Sequence, residues 1–116
     1  MKIKAVLHID WDQEDRLKMA LNNISNLIHE ITAEEADVYL VVNGHAVNLL
    51  RRERSVHYAA KIKKLSEMGV HFLVCNSSLT SLGVDRSELI RPCEIVPAGI
   101  MELIRLQQEG FAYIKP

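Results

Sequence analysis

Short apolar runs alternate along the chain with longer segments in which apolar residues return every three or four positions. Compact runs rich in Val, Ile and Leu and bounded by polar or turn residues are typical of buried β-strands. The runs of this kind predict strands at residues 2–9, 38–42, 70–75, 93–97 and 111–114.

The segment between the first two strands has the spacing of an amphipathic helix. Apolar side chains recur at helical intervals from Leu17 to Ile31. Asp12 is in the right place to cap this helix, and Glu14 and Asp15 suit the positive end of its dipole. The first two strands and this helix therefore form one predicted βαβ unit.

Three further helices are predicted downstream. One spans about 56–68, with Ser55 as its cap and Gly69 as its C-terminal stop. A short helix over 77–83 ends at a glycine, and a long one covers 98–109.

Strands that alternate with helices, and that are near-continuous apolar runs, indicate a mainly parallel sheet covered on both faces. The predicted fold is therefore a three-layer α/β/α sandwich around a mainly parallel five-stranded sheet. The 116 residues are enough for one domain that buries a core without disulfides or a structural metal. No linker or internal repeat divides the chain, so a single domain over 1–116 is expected.

Charge and hydropathy exclude several classes of protein. The chain has 14 Lys and Arg against 15 Asp and Glu, so it lacks the broad basic field of nucleic-acid-binding proteins. The apolar run at the N-terminus stops at Asp10 and no small-residue cleavage site follows, so a signal peptide is not expected. No run approaches the roughly 20 apolar residues that span a bilayer. We therefore expect a cytoplasmic protein with reduced cysteines, for which neither nucleic acid nor membrane is a partner.

The predicted sheet indicates where a site would lie, because ligands and chemistry gather at the carboxyl ends of parallel strands. Helix N-termini converge at this edge, and loops are free to vary there. The residues delivered to it are His8 and Asp10 by the first strand, Asn43, Gly44 and His45 by the second, Cys75 and Asn76 by the third, and Pro97, Ala98 and Gly99 by the fourth.

Cys75 has the most distinctive chemistry at this edge. Ser77 and Ser78 follow it and can cap the next helix, which would bring backbone amides and the positive end of a dipole close to the sulfur. Such a setting lowers the pKa of a thiol and favours the nucleophilic thiolate. A packed strand-end cysteine is the alternative, and position alone leaves both open. Cys93 begins its strand about 15–20 Å away, so we interpret it as a packing residue and not as a disulfide partner.

His8 and His45 are candidates to hydrogen-bond the thiol or a substrate. With His45 as base the site would resemble that of a Cys-His hydrolase, but no orienting third group is evident. The basic segment RRERS, residues 51–55, is either a guide for an anionic group or an acidic partner, or a solvated helix start. Neither metal-ligand spacing nor a phosphate-loop pattern occurs, so no metal or cofactor is expected.

Three stretches give the chain a resemblance to a known family, namely VVNGHAVNLL, GVHFLVCNSSLTSLGV and EIVPAGIMELIRLQQEGFAYIKP. Their order and the closing GFAYIKP resemble the DsrE/DsrF-like family, the small α/β proteins of sulfur relays that include TusD-type subunits. The resemblance covers nearly the whole chain. It implies a five-stranded parallel sheet in a three-layer sandwich, and homotrimers or homohexamers in which the basic segment could lie near a subunit boundary.

In active members of this family, the cysteine at the end of the third strand accepts sulfur as a persulfide and passes it to the next protein. The matching residue here is Cys75. The resemblance therefore implies a sulfurtransferase or sulfur carrier whose partners are a sulfur donor and a sulfur acceptor protein. The candidates for lining its pocket or stabilising its anion are Asn76, Ser77, Ser78, Asn43, Gly44, His45 and His8.

The chain departs from the transfer-RNA thiolation subunits of the family in one respect. Those subunits carry a basic turn after the cysteine, where this chain reads NSSLTSLG. That difference places it nearer the homo-oligomeric branch, whose substrates are poorly defined. The leading hypothesis is a persulfide carrier, and the alternative is a non-catalytic binding or regulatory subunit in which Cys75 is structural.

Overall fold

The computed structural model describes residues 2–116, which form five strands, four α-helices and short 3₁₀ segments. All the strands and helices predicted from the sequence are present, with ends that shift by up to three residues. The strands are β1 (Ile3–Ile9), β2 (Ala36–Val42), β3 (His71–Cys75), β4 (Cys93–Val96) and β5 (Ala112–Ile114), and the helices are α1 (Glu14–Ile31), α2 (Ala59–Glu67), α3 (Asn76–Leu82) and α4 (Gly99–Gln108).

The strands form one parallel sheet in the order β4-β3-β2-β1-β5. In its register Ile9 lies beside Val42, Val42 beside Val74, and Cys75 beside Val96. The carboxyl ends of β1 to β4 therefore finish together at one edge of the sheet.

Helices cover both faces of this sheet, as predicted, but unequally. The connections from β1 to β4 all step in the same direction, so right-handed crossovers put α1, α2 and α3 on one face, where the large core forms. The chain then crosses back from β4 to β5, which puts α4 on the other face. There Leu103 and Leu106 pack on Val6, Val41 and Leu73. The three-layer sandwich is thus confirmed, with a single helix as its thin layer.

Helix α1 buries the apolar face that its sequence predicts, including Leu17 and Ile24. The prediction that Asp12 caps this helix is wrong, because Gln13 holds the capping position and no side chain caps it. Asp12 instead forms a two-pronged ion pair with Arg54, with oxygen–nitrogen distances of 2.7 and 3.2 Å. A forked, charge-assisted pair of this kind competes successfully with a single capping hydrogen bond.

Helix α2 begins at Ala59, later than predicted, and Ser55 does not cap it. Residues 55–58 form a tight turn in which the Ser55 carbonyl accepts hydrogen bonds from the N–H groups of Tyr58 and Ala59. The preceding segment is tied to residues 88–90 by backbone hydrogen bonds, which holds the Ser55 side chain in the core. Within the described part of the chain, its buried hydroxyl has no hydrogen-bond partner.

A 3₁₀ segment at Gly44–Leu50, which no sequence pattern predicted, follows β2. Its apolar residues are adjacent and not spaced as on an α-helix, which is why the periodicity missed it. The buried members are Ala46, Val47, Leu49 and Leu50. By filling the core below α3, this segment fixes the loop that starts at Gly44.

Candidate functional site

Cys75 is the last residue of β3, and α3 begins at the next position. Phe72 and Val74 face the large core, whereas Leu73 belongs to the small core under α4. Because strand side chains alternate between faces, Cys75 points to the α4 face. It is only 5% exposed, so the thiol lies just below the surface.

Donors from two helices act on the sulfur of Cys75. Burial raises the pKa of the thiol, but hydrogen bonding from the Ser78 hydroxyl and from the N–H groups of Gly99, Ser78 and Ser77 outweighs it, and the pKa is lowered. Cys75 holds the capping position of α3, but its sulfur is not aligned with the N–H groups of the first turn well enough to form a capping hydrogen bond. Attraction between the anion and the helix dipole does not need that alignment. The site therefore favours the thiolate.

The side chains of Ser77 and Ser78 do not cap α3, contrary to the prediction. The helix starts one residue earlier than expected, so both serines lie within its first turn and not ahead of it. Ser78 Oγ accepts a hydrogen bond of 2.7 Å from the N–H of Gly44, and Ser77 Oγ donates one of 3.2 Å to the Pro97 carbonyl. Ser78 therefore keeps its hydroxyl hydrogen available for the sulfur.

Gly44 is the residue that lets β2 turn into the site. Its φ angle is +59°, and a Cβ atom at this position would lie 2.8 Å from the carbonyl oxygen of Asp10. Glycine is thus required both by the backbone conformation and by the close approach of another strand end. The turn aims the N–H of Gly44 at Ser78.

His8 and Asn43 form a hydrogen-bonded row beside Cys75 that ends at Tyr113. Nδ1 of His8 lies 2.7 Å from the Tyr113 hydroxyl, and Nε2 lies 2.8 Å from Asn43 Oδ1. Asn43 and Cys75 each come directly after the last residue of the paired β2–β3 ladder, so the register puts their side chains next to each other. Burial lowers the pKa of His8 below its ordinary value of 6.5, which keeps the ring neutral at neutral pH.

Tyr113 is the residue of this row that sequence reasoning missed. It lies on the short closing strand β5, where a single tyrosine carries no recognisable pattern. Only the pairing of β5 with β1 brings its hydroxyl to His8.

Gly99, the first residue of α4, packs directly on the row. A Cβ atom there would lie 3.1 Å from Asn43 Cβ and 3.3 Å from Val41 Cγ1, tighter than ordinary contacts. The sequence placed Gly99 at the same edge of the sheet but assigned it no role. Its small size lets α4 approach closely enough for its N–H to reach the sulfur of Cys75.

His45 and Asn76 lie at this edge but make their contacts elsewhere. The His45 ring stacks on the exposed Trp11, with ring centres 6.0 Å apart and planes inclined by 2°. Asn76 Oδ1 accepts a hydrogen bond of 3.3 Å from Arg86. Within residues 2–116 no histidine hydrogen-bonds the Cys75 sulfur. His45, the predicted base of a Cys-His hydrolase, thus makes its described contact with Trp11 and no hydrogen bond to the sulfur.

The basic segment RRERS is tied into the fold. Arg51 pairs with Glu88 at 2.9 Å, and Arg52 donates to the Leu89 carbonyl at 3.2 Å. Arg54 is held by its ion pair with Asp12, which lies just before α1. The interpretation as a helix start is wrong, because these residues precede the turn that leads into α2.

Cys93 is chemically separate from Cys75. Because Cys75 pairs with Val96, Cys93 lies three residues back along the neighbouring strand, about 11 Å away. That distance is shorter than the sequence estimate but still beyond the reach of a disulfide. Cys93 packs on the large core, and burial raises its pKa to about 12. It therefore remains a protonated packing residue.

No group of three or more His, Cys, Asp or Glu side chains among residues 2–116 is arranged to hold a metal ion. No helix in that part of the chain is long and apolar enough to cross a membrane.

Comparisons with known proteins identify a family and similar solved structures. Residues 4–116 match the DsrE/DsrF-like family. The structure of the protein of unknown function MTH1491 from Methanobacterium thermoautotrophicum is similar over 99% of this chain and 100% of its own, with a TM-score of 0.89 and 32% identity. The structure of the ychN protein from E. coli is similar over 100% of this chain and 100% of its own, with a TM-score of 0.80 and 16% identity, which shows a shared fold. No curated protein matches the chain.

Proposed function

Because the chain belongs to the DsrE/DsrF-like family, we propose that it is a sulfur carrier that holds sulfur as a persulfide on Cys75. The observation that carries the proposal is the setting of this thiol. It is nearly buried, yet its pKa is lowered by donors from the first turns of α3 and α4. The thiolate is the form that attacks sulfur, so this setting favours the chemistry of a sulfur relay.

In the loading step, the Cys75 thiolate attacks the outer sulfur of a donor persulfide, R–S–SH. A new S–S bond forms to Cys75 Sγ, the S–S bond of the donor breaks, and the donor leaves as the thiolate R–S⁻. The proton stays on the transferred sulfur. One S–S bond replaces another, so the step needs no oxidant, reductant or cofactor.

In the unloading step, a thiolate of the acceptor protein attacks the outer sulfur, and Cys75 leaves as a thiolate. A leaving thiol with a lowered pKa departs faster, so the donors around Cys75 assist both steps. Donor and acceptor proteins are the partners that the proposal requires. A reducing compartment such as the cytosol would keep the thiol available between cycles.

Peptide mass spectrometry after incubation with a low-molecular-weight persulfide tests the proposal. We expect one added sulfur atom at Cys75 and none at Cys93, whose pKa of about 12 keeps it protonated. Cys75→Ser should abolish loading, whereas the matched Cys93→Ser variant should load normally. Equal addition at both cysteines, or no addition to Cys75 in the folded protein, would contradict the carrier function.

A binding or regulatory subunit with a structural Cys75 is the second candidate. The 5% exposure of this residue favours it, because little of the sulfur is open to a partner in the isolated chain. In that case iodoacetamide would modify Cys75 only after unfolding. Modification of Cys75 in the native protein, faster than that of Cys93, supports the carrier instead.

We also propose that the chain assembles with copies of itself, as trimers or hexamers. The support is an apolar surface on the outer side of α4 and on β5, since exposed patches of this kind often mark interfaces. Because α4 begins at Gly99, an interface there would lie beside the thiol. The exposed members on the α4 side of the sheet are Ile100, Met101, Ile104 and Tyr113.

Light scattering during size-exclusion chromatography tests this assembly. We expect the mass of three or six chains, reduced by Ile104→Glu. Val56→Glu, at an exposed apolar residue before α2, is the matched control and should leave the mass unchanged. A monomeric wild-type protein at micromolar concentration would contradict self-association.

A further inference from the structure

The row from Tyr113 to Cys75 runs from the surface to the buried thiol. Its four residues come from neighbouring strands, in the order Tyr113, His8, Asn43, Cys75, and all point to the α4 face. Tyr113 is 42% exposed, whereas His8 and Cys75 are buried. A change at Tyr113 can therefore reach Asn43, the neighbour of Cys75 in the sheet register, through hydrogen-bonded side chains.

The hydrogen bonds of this row define the protons on His8. Asn43 Oδ1 can only accept, so the His8 Nε2 that lies 2.8 Å away carries a hydrogen. The ring is neutral because burial lowers the pKa of His8. Nδ1 is then unprotonated and accepts from the Tyr113 hydroxyl at 2.7 Å. In this arrangement Tyr113 stabilises the tautomer of His8 with its hydrogen on Nε2, and that tautomer orients the Asn43 amide.

With Oδ1 held by His8, the amide nitrogen of Asn43 faces the opposite way. It lies on the side of Gly99, where a Cβ atom would be 3.4 Å from Asn43 Nδ2. The N–H of the same glycine acts on the Cys75 sulfur. The amide nitrogen therefore lies next to a residue whose N–H acts on the thiol.

We infer that the Asn43 amide donates a hydrogen bond to the anionic sulfur of Cys75, and that Tyr113 is a positioning residue acting through His8. The inference rests on the proposed function, in which this sulfur is the reacting atom, and adds a donor and a positioning residue to it. The charged groups near His8 do not by themselves determine whether its ring is protonated. Lys115 and Asp10 act on the ring in opposite directions and pair with each other at 2.6 Å.

Long-range proton–nitrogen NMR spectra of the wild-type protein test the orientation directly. At neutral pH we expect His8 to carry its hydrogen on Nε2 alone. Tyr113→Phe should weaken this preference and introduce the second tautomer. A wild-type His8 protonated on Nδ1 would mean that the Asn43 amide is turned round, with its nitrogen on His8, and would overturn the inference.

The pH dependence of Cys75 alkylation by iodoacetamide tests the effect on the sulfur. Below the pKa of the thiol, we expect Asn43→Ala to slow alkylation about 3- to 20-fold, and Tyr113→Phe to slow it about two- to threefold. Both rates should recover at high pH, where the thiol is ionised anyway. Tyr58→Phe removes the hydroxyl of a tyrosine that packs on the opposite face of the sheet, and it should leave the rate unchanged. Unchanged alkylation in folded Asn43→Ala and Tyr113→Phe would overturn the inference.

Neither measurement involves a persulfide, so the two proposals can fail separately. If Cys75 takes up no sulfur but the Asn43 and Tyr113 variants behave as expected, the carrier function fails and the positioning row stands. If Cys75 loads normally and both variants alkylate like the wild type, the carrier stands and the row fails.

Discussion

Replacing Ser78 by alanine removes a side-chain hydroxyl that acts on the Cys75 sulfur. In the wild type, the N–H of Gly44 occupies the acceptor side of this hydroxyl at 2.7 Å, which leaves its hydrogen for the thiolate. We therefore expect Ser78→Ala to raise the pKa of Cys75 and to slow its reactions at neutral pH.

The magnitude follows from the strength of a hydrogen bond to a charged group, about 1.5–3 kcal/mol. At about 1.4 kcal/mol for each factor of ten, the ionisation equilibrium of the thiol shifts by about 10- to 140-fold. A thiolate of higher pKa is also more nucleophilic, with a Brønsted coefficient of about 0.4–0.5, which offsets nearly half of the loss on a logarithmic scale. The net expectation is alkylation that is about 3- to 20-fold slower below the pKa.

The assay is the rate of iodoacetamide alkylation of Cys75 against pH, followed by mass spectrometry so that Cys93 is scored separately. Ser81→Ala is the matched control, because Ser81 is an exposed serine on the same helix. Alkylation of Cys75 in Ser78→Ala should be slow at low pH. It should equal or exceed the wild-type rate once Cys75 is ionised in both proteins. Ser81→Ala should follow the wild type throughout.

Two results would refute this reasoning. A rate that is unchanged at every pH would show that the hydroxyl does not stabilise the thiolate. A rate that is reduced equally at every pH would show that the substitution alters access to the sulfur and not its ionisation.

Three further predictions concern the scaffold. Gly44→Ala should destabilise the protein by about 1–3 kcal/mol in urea unfolding, because alanine meets both a φ of +59° and the Asp10 carbonyl; equal stability would contradict this. Thr32→Gly should stabilise it by about 1 kcal/mol, since Thr32 has a φ of 66° and a ψ of 152°, a region that favours glycine; a lower melting temperature would contradict the strain. His8 should make stability fall as pH drops below 6.5, because its lowered folded-state pKa lets the unfolded chain bind a proton first. A His8→Gln variant should lose that slope, and an unchanged slope would assign it to other groups.

The capping predictions show where local reasoning stops. Asp12, Ser55 and Ser78 each precede or begin a helix and have the right chemistry to cap it, yet none does so. Asp12 instead forms an ion pair with Arg54, and the Ser78 hydroxyl accepts a hydrogen bond from the N–H of Gly44. Both partners are remote in sequence. A cap is a local preference worth about 1 kcal/mol, so a favourable tertiary contact can override it.

Other features needed no tertiary information. Apolar runs and helical spacing located every strand and every α-helix of residues 2–116, because burial on a sheet or under a helix leaves its period in the sequence. The same pattern placed Cys75 at the carboxyl end of a parallel strand and at the start of a helix, a position now seen at the end of β3.

What the sequence determined by itself was therefore the layered fold and the place of the thiol on it, since both depend on neighbours along the chain. Only the tertiary structure decided which groups surround that thiol. Ser78 meets Gly44 across 34 residues, and His8 meets Tyr113 across 105. Such contacts depend on strand order and register, which put β5 beside β1 and Asn43 beside Cys75. No local period encodes that order, because it is set by how the whole sheet packs.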